Sequence, residues 1–293
     1  MPPISRKLAS EVAFILDEAN IPNMVFGWIG LTLSGANFNI REIEFVIPDA
    51  FIDAATNVLV EAGYDFHCTH PDCPELQADR DKERNRTGGN SNSDPALQID
   101  RYHTVGAAHF HIDNWAYLLT LYKKSEVLWW VYDEALNLST DPLGLLAQGR
   151  HSDLILSNDV ARIPPFSYNM SMTGSGPWHG LYPVRTLNPA SFTEAVILLV
   201  CRNLGHIERV DRMWGAMLLA LKDEEDERGD RYIVRKNVGT MFRRAWEWFN
   251  HRPMHGDKAG LTSLIEFRHE LKRKGLLGPL PLPEVREVQN GRE

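Results

Sequence analysis

Cysteine is scarce in this chain, and the sequence also lacks a long apolar run and an excess of basic residues. Three cysteines, Cys68, Cys73 and Cys201, cannot build a disulfide framework. The longest apolar run, residues 195–200, is far shorter than the about 20 residues that span a bilayer. A formal charge of -8 disfavours a general nucleic-acid binder, whose surface is basic. We therefore expect no membrane segment and no nucleic-acid partner.

The first residues carry no apolar core of a secretion signal. The stretch MPPISRKLAS passes directly into an amphipathic pattern. Together with the few cysteines, this predicts a reducing, cytoplasmic setting. Hydrophobic residues make up 43% of the 293-residue chain, which suffices for one large or two modest domains with a full core.

The most informative stretch is residues 25–48, VFGWIGLTLSGANFNIREIEFVIP. An apolar run ends at Gly27, a short helix follows, and the chain turns at the next Ser-Gly pair. The stretch closes on a strand, residues 42–47, in which apolar residues alternate with Glu42 and Glu44. Both carboxylates therefore leave one face of the strand. There they repel each other unless a cation, a base or a proton lies between them.

This arrangement resembles the signature of the nucleotidyltransferase-fold superfamily, in which a small-residue turn precedes an Asp-x-Asp metal pair. The resemblance implies that the turn binds the phosphates of a nucleoside triphosphate. It also implies that Glu42 and Glu44 are catalytic and bind Mg²⁺ or another divalent metal during in-line phosphoryl transfer. The turn residues that would hold the phosphates are Gly27, Trp28, Ser34 and Gly35.

The chain differs from the family pattern at three points. The small pair of the turn is Gly27-Trp28, glutamates replace the aspartates, and no Asp stands where the third metal acid is expected. A glutamate carboxylate lies about one bond length further out, whereas Mg²⁺ demands near-ideal octahedral geometry. Two functions remain open. One is metal-dependent transfer of a nucleotide to a small-molecule acceptor, and the other is a degenerate fold member whose cleft binds a less charged molecule or performs another reaction.

A second polar strand face is predicted where His109, His111 and Asp113 alternate with apolar residues. The resemblance places the third metal acid about here, so that a histidine would stand in its position with Asp113 nearby. Imidazole suits zinc, iron or nickel better than Mg²⁺, which makes the two glutamates and His111 a candidate set for a transition metal. Alternating histidines are also typical of a solvated sheet face. Both interpretations stay open.

Residues 1–135 are predicted to form a nucleotidyltransferase-like α/β (α+β) domain with a mixed sheet. Amphipathic periodicity predicts helices at residues 5–19 and 49–63, the second capped by Asp49. Residues 69–98 lack apolar periodicity and are rich in charge, Gly, Asn and Ser, which indicates an exposed loop insertion. The cysteines and histidines at its start lack the second pair that a closed zinc site needs.

Two further strands, residues 117–122 and 127–131, are predicted to form an antiparallel hairpin. Trp129 and Trp130 are adjacent on the second strand, so one should enter the core and the other should line a groove. Trp130 is therefore a candidate cleft residue.

The second half of the chain has a different character. Residues 136–187 contain several prolines and little periodicity, as is typical of an irregular connection. Residues 188–275 open on an Asn-Pro pair and show helical periodicity, which predicts a helical domain. Residues 276–293 are rich in proline and predict an extended tail. Motifs within residues 182–203 look like a recurring portion of fungal proteins of the nucleotidyltransferase fold.

Overall fold

A computed structural model gives the arrangement of most of the predicted elements. The residues it describes are 4–36, 42–64, 106–112, 117–131, 153–164, 176–204, 208–221, 237–250 and 258–279. The predicted insertion at 69–98, Asp113 and residues 280–293 of the predicted tail lie outside these stretches, so their assignments stay predictions.

The first half of the chain begins as its periodicity predicts. Its elements are α1 (Ile4–Glu18), β1 (Met24–Phe26), α2 (Gly27–Leu33), β2 (Glu42–Ile47) and α3 (Ile52–Glu61). Leu8, Val12 and Leu16 recur every fourth residue along α1, and all three are buried. The predicted helix at 5–19 and the predicted strand at 42–47 are therefore confirmed.

Four strands form a mixed sheet in the order β1-β2-β4-β3, where β3 is Ala108–Ile112 and β4 is Tyr117–Lys123. Strand β2 pairs antiparallel with β1 and parallel with β4, and β3 pairs antiparallel with β4. Parallel neighbours need a crossover connection, and α3 lies in the connection between β2 and β4. The prediction of a mixed α/β sheet is confirmed.

Helices contact both faces of the sheet. On one face, the Phe26 ring of β1 contacts the rings of Phe192 and Trp214 in the second half of the chain. On the other face, the Phe110 ring contacts Tyr64, which follows α3, and α3 contacts α1. The hydrophobic core is therefore continuous across the sheet into the C-terminal helices.

The predicted hairpin after β4 is wrong. Residues Lys124–Val127 form a short helix, α4, and the chain then turns through residues 128–131. The cause is a tertiary contact, because the Ser125 backbone N–H and hydroxyl both donate to the carboxylate of Asp49. Asp49 is the first residue of a 3₁₀ turn whose N-cap is Pro48, and the N-cap of α3 is Phe51, so the predicted capping role of Asp49 is also wrong.

The described part of the range predicted as an irregular connection contains two strands that the sequence pattern did not predict. Strands β5 (Leu154–Leu156) and β6 (Arg185–Leu187) form a second, antiparallel sheet. Strand β6 also contacts β1. Arg185 pairs with Asp17 of α1 at 2.7 Å, which fastens this second sheet to the first helix.

In the described stretches after residue 188, the chain forms four helices, as the periodicity of the second half predicts. They are α5 (Pro189–Asn203), α6 (Glu208–Ala220), α7 (Arg243–Asn250) and α8 (Lys258–Arg273). The Asn188 side chain accepts a hydrogen bond from the Ser191 N–H at 2.9 Å, and Pro189 opens α5, so the predicted cap is confirmed. No helix in the described stretches is both long enough and apolar enough to cross a membrane.

Candidate functional site

Glu42 and Glu44 lie on the central strand β2 and on the same face of it, which we call the acid face. Glu42 is 5% exposed and Glu44 is completely buried. Phe26 lies opposite Glu44 on β1 and contacts Phe192 of α5 at 5.3 Å between ring centroids. At its β1 end, the acid face is therefore directed toward the C-terminal helices.

The Glu44 carboxylate is held against the start of α2. Its Oε2 atom accepts a hydrogen bond from the Trp28 backbone N–H, with 2.5 Å between nitrogen and oxygen. At Gly27 the backbone is left-handed, with φ of +58°, and a Cβ atom there would lie 2.2 Å from the Glu44 Cδ atom. Gly27 is thus required twice, for the backbone conformation and for the approach of the carboxylate.

This contact gives a buried carboxyl group a hydrogen-bond donor. A carboxylate removed from water needs hydrogen bonds, and the first N–H groups of a helix have no partner inside the helix. The Trp28 N–H therefore stabilises Glu44. Glu44 in turn occupies this backbone N–H, which by the family resemblance would bind a phosphate. The sequence does not reveal this pairing, because a turn residue and a strand residue so far apart share no local pattern.

Ser34 and Gly35 lie at the other end of α2. The Ser34 hydroxyl donates to the Gly30 carbonyl oxygen at 2.9 Å, and Gly35 has a φ of 104° in the turn that ends the helix. Seven helical residues span about 10 Å at about 1.5 Å per residue. The structure therefore does not place these two residues beside the Trp28 N–H, although the resemblance grouped all four.

His109 and His111 share the acid face, but on β3 rather than beside β2. His109 lies opposite Thr120 of β4, and Thr120 lies opposite Glu44, so one row of the sheet crosses three strands. Two strand spacings of about 4.8 Å separate β2 from β3 by roughly 10 Å at the backbone. Thr120, which is 3% exposed, is the direct neighbour of Glu44 on β4, and no sequence pattern singled it out as a site residue.

The side chains present do not assemble the metal site that the resemblance implies. Within the described stretches, no three His, Cys, Asp or Glu side chains converge as metal ligands. Glu44 is engaged by the Trp28 N–H, and both acids are buried. Glu42, Glu44 and His111 therefore do not form the predicted three-ligand set in this arrangement, and no reaction step through Mg²⁺ follows from it.

Trp130 belongs to a different cluster from the one predicted. Because residues 128–131 form a turn, Trp129 and Trp130 contact each other, with 4.6 Å between ring centroids, instead of facing opposite sides of a strand. The Arg202 guanidinium lies 4.6 Å from the Trp129 ring centroid and donates to the Glu126 carbonyl oxygen. Burial lowers the pKa of Arg202 to about 10.

Comparison with known proteins adds no relative. The chain matches no family model, no curated protein sequence and no solved structure.

Proposed function

We propose that the protein is a nucleotidyltransferase-like fold member whose cleft has been repurposed. In this proposal the cleft at the acid face binds a small molecule without the standard transfer of a nucleotide. The observation that carries the proposal is the hydrogen bond from the Trp28 N–H to the buried carboxylate of Glu44 at 2.5 Å. The succession β1, α2, β2, with Gly27 against the strand acid, supports the family assignment.

Electrostatics explains why this contact opposes phosphate binding. The Glu44 carboxylate stands next to the turn that, by the resemblance, would hold the phosphates of a nucleoside triphosphate. Two like unit charges about 4 Å apart repel each other by about 4 kcal/mol at an effective dielectric constant near 20. A penalty of that size lowers affinity by roughly a factor of 1,000, since each 1.4 kcal/mol is tenfold. The arrangement therefore favours a ligand that carries less charge.

A second candidate function is metal-dependent transfer of a nucleotide from a nucleoside triphosphate to a small-molecule acceptor. The observation in its favour is the acid pair itself, since Glu42 and Glu44 share one face of a central strand. For this function, Glu44 must leave the Trp28 N–H in order to coordinate a cation. The two candidates therefore make opposite predictions for a variant that lacks the Glu44 charge.

Isothermal titration calorimetry with ATP, with and without Mg²⁺, tests the proposal. We expect no saturable binding to the unmodified protein at millimolar ATP. Glu44→Gln keeps an oxygen acceptor for the Trp28 N–H and removes the repelling charge, so it should bind ATP at least about tenfold more tightly. Mg²⁺-dependent binding to the unmodified protein that Glu44→Gln abolishes would establish the second candidate instead.

Glu42→Gln is the matched control. It removes the neighbouring charge on the same strand face and leaves Glu44 on the Trp28 N–H. In the repurposed cleft, this variant should gain less ATP affinity than Glu44→Gln. Equal gains in both variants would show that the position of Glu44 against α2 is not what excludes phosphate.

A further inference from the structure

We propose that His109 and His111 together chelate one transition-metal ion of the zinc, nickel or copper class from strand β3, independently of the acid pair. The two residues are two positions apart on the strand and therefore share its face. Their rings lie 5.4 Å apart between centroids, with an interplanar angle of 89°. Both side chains are half-buried.

The ring separation fits two imidazoles bound to one ion. A zinc-to-nitrogen bond is about 2.0–2.1 Å long, so two rings on a tetrahedral ion have centroids about 5 Å apart. The observed 5.4 Å is within a few tenths of an ångström of that value. Small rotations about the side-chain bonds are therefore enough to direct one nitrogen of each ring to a common ion.

The backbone holds this pair in place. His109 and His111 lie opposite Thr120 and Leu118 in the antiparallel register of β3 with β4. A ligand pair fixed on a rigid strand loses little conformational freedom on binding, which favours affinity. Two neutral imidazoles also select zinc, nickel or copper over Mg²⁺ and Ca²⁺, which prefer oxygen ligands.

The proposed site is separate from Glu42 and Glu44. Strand β4 lies between β2 and β3, and no group of three potential ligands converges among the described residues. The two histidines therefore supply the two protein ligands from the described part of the chain, and water molecules complete the coordination. The site does not depend on whether the cleft transfers nucleotides.

Calorimetric titration of the full chain with NiCl₂ and with ZnCl₂ tests this site. The background is Cys68→Ser/Cys73→Ser, which removes thiolates as competing ligands, and the protein carries no purification tag. We expect His109→Ala and His111→Ala each to weaken binding by more than about tenfold, because either loss breaks the chelate. His269→Ala, at an exposed position on α8, is the histidine control and should bind as the background does.

Glu42→Gln and Glu44→Gln should leave the affinity unchanged within about twofold. Electron paramagnetic resonance of the Cu²⁺-loaded background protein provides a second readout and should show coupling to two nitrogens. Three results would overturn the proposal. The first is binding to the background protein that is no stronger than binding to the double variant His109→Ala/His111→Ala. The second is a single histidine variant that keeps the affinity of the background protein. The third is a tenfold loss of affinity in a glutamate variant, which would indicate one site shared with the acid face.

Discussion

At Gly27, one residue meets two separate requirements. Its φ of +58° lies in the left-handed region, which costs other residues roughly 1–2 kcal/mol. A side chain there would also overlap the Glu44 carboxylate, since a Cβ atom would lie 2.2 Å from its Cδ atom. The sequence predicts the glycine turn and the strand acids as elements, but the contact between Gly27 and Glu44 appears only in the structure.

We predict that Gly27→Ala destabilises the protein more than Gly275→Ala does. Gly275 has a similar φ of +67°, and a Cβ atom added there would meet no atom within 4 Å, so its substitution adds only the backbone strain of about 1–2 kcal/mol. Gly27→Ala adds the displacement of a buried hydrogen-bonded carboxylate, worth at least about 1 kcal/mol more. Urea denaturation measures both free energies of unfolding. Equal losses would mean that Glu44 moves aside without cost.

At the scale of elements, local sequence patterns predict the helices, whereas contacts between distant residues determine the structure of the remaining segments. The Asn-Pro pair before α5 is a cap that acts within four residues, and the structure forms it. Strands β5 and β6 have three residues each, too few for alternation to be recognised. Helix α4 depends on the Ser125 contact with Asp49, which is 76 residues away in sequence.

We predict that Asn188→Ala lowers the free energy of unfolding by about 1 kcal/mol. The substitution removes the side-chain oxygen that accepts from the Ser191 N–H at the start of α5. Asn188→Asp keeps an acceptor at this position and should lose much less. Thermal unfolding followed by circular dichroism compares the three proteins. A loss in Asn188→Asp as large as that in Asn188→Ala would exclude the capping explanation.

At the scale of the whole molecule, a polar network around Asp17 joins distant parts of the chain. The Arg185 guanidinium on β6 donates to both carboxylate oxygens of Asp17 on α1, and the Tyr182 hydroxyl donates to the same carboxylate at 2.7 Å. The Asn23 amide, just before β1, donates to Asp17 as well. This network fixes α1 to both sheets and so helps to position the strand that carries the acids.

The network makes the free energy of unfolding depend on pH in the alkaline range. Burial, and then the hydrogen bond to Asp17, raise the pKa of Tyr182 from 10.0 to about 12. Above about pH 10 the unfolded chain loses the phenol proton that the native protein still holds, so the free energy of unfolding falls as pH rises. The stabilisation that comes from the raised pKa of Tyr182 is fully present below about pH 10 and is lost as pH rises through about 12.

We predict that the stability advantage of the unmodified protein over Tyr182→Phe decreases between about pH 9 and about pH 11. The phenylalanine variant keeps the ring that contacts Phe14 but has no proton to lose. Urea denaturation at the two pH values gives the difference directly. An advantage that stays constant or grows with pH would show that the Tyr182 hydroxyl is not held by Asp17.

In the proposed function, the Glu44 carboxylate accepts the hydrogen bond from the Trp28 N–H and keeps it in the presence of nucleotide. Nitrogen-15 labelling of tryptophan gives backbone amide signals from only eight residues, and Trp28→Phe assigns the relevant one. A short, charge-assisted hydrogen bond should place the Trp28 amide proton far downfield, and Glu44→Gln should move it upfield. We predict that this signal stays in place when ATP and Mg²⁺ are added at millimolar concentration. A saturable movement of the signal on that addition would contradict the account, because it would show the carboxylate leaving the turn for a nucleotide and its metal.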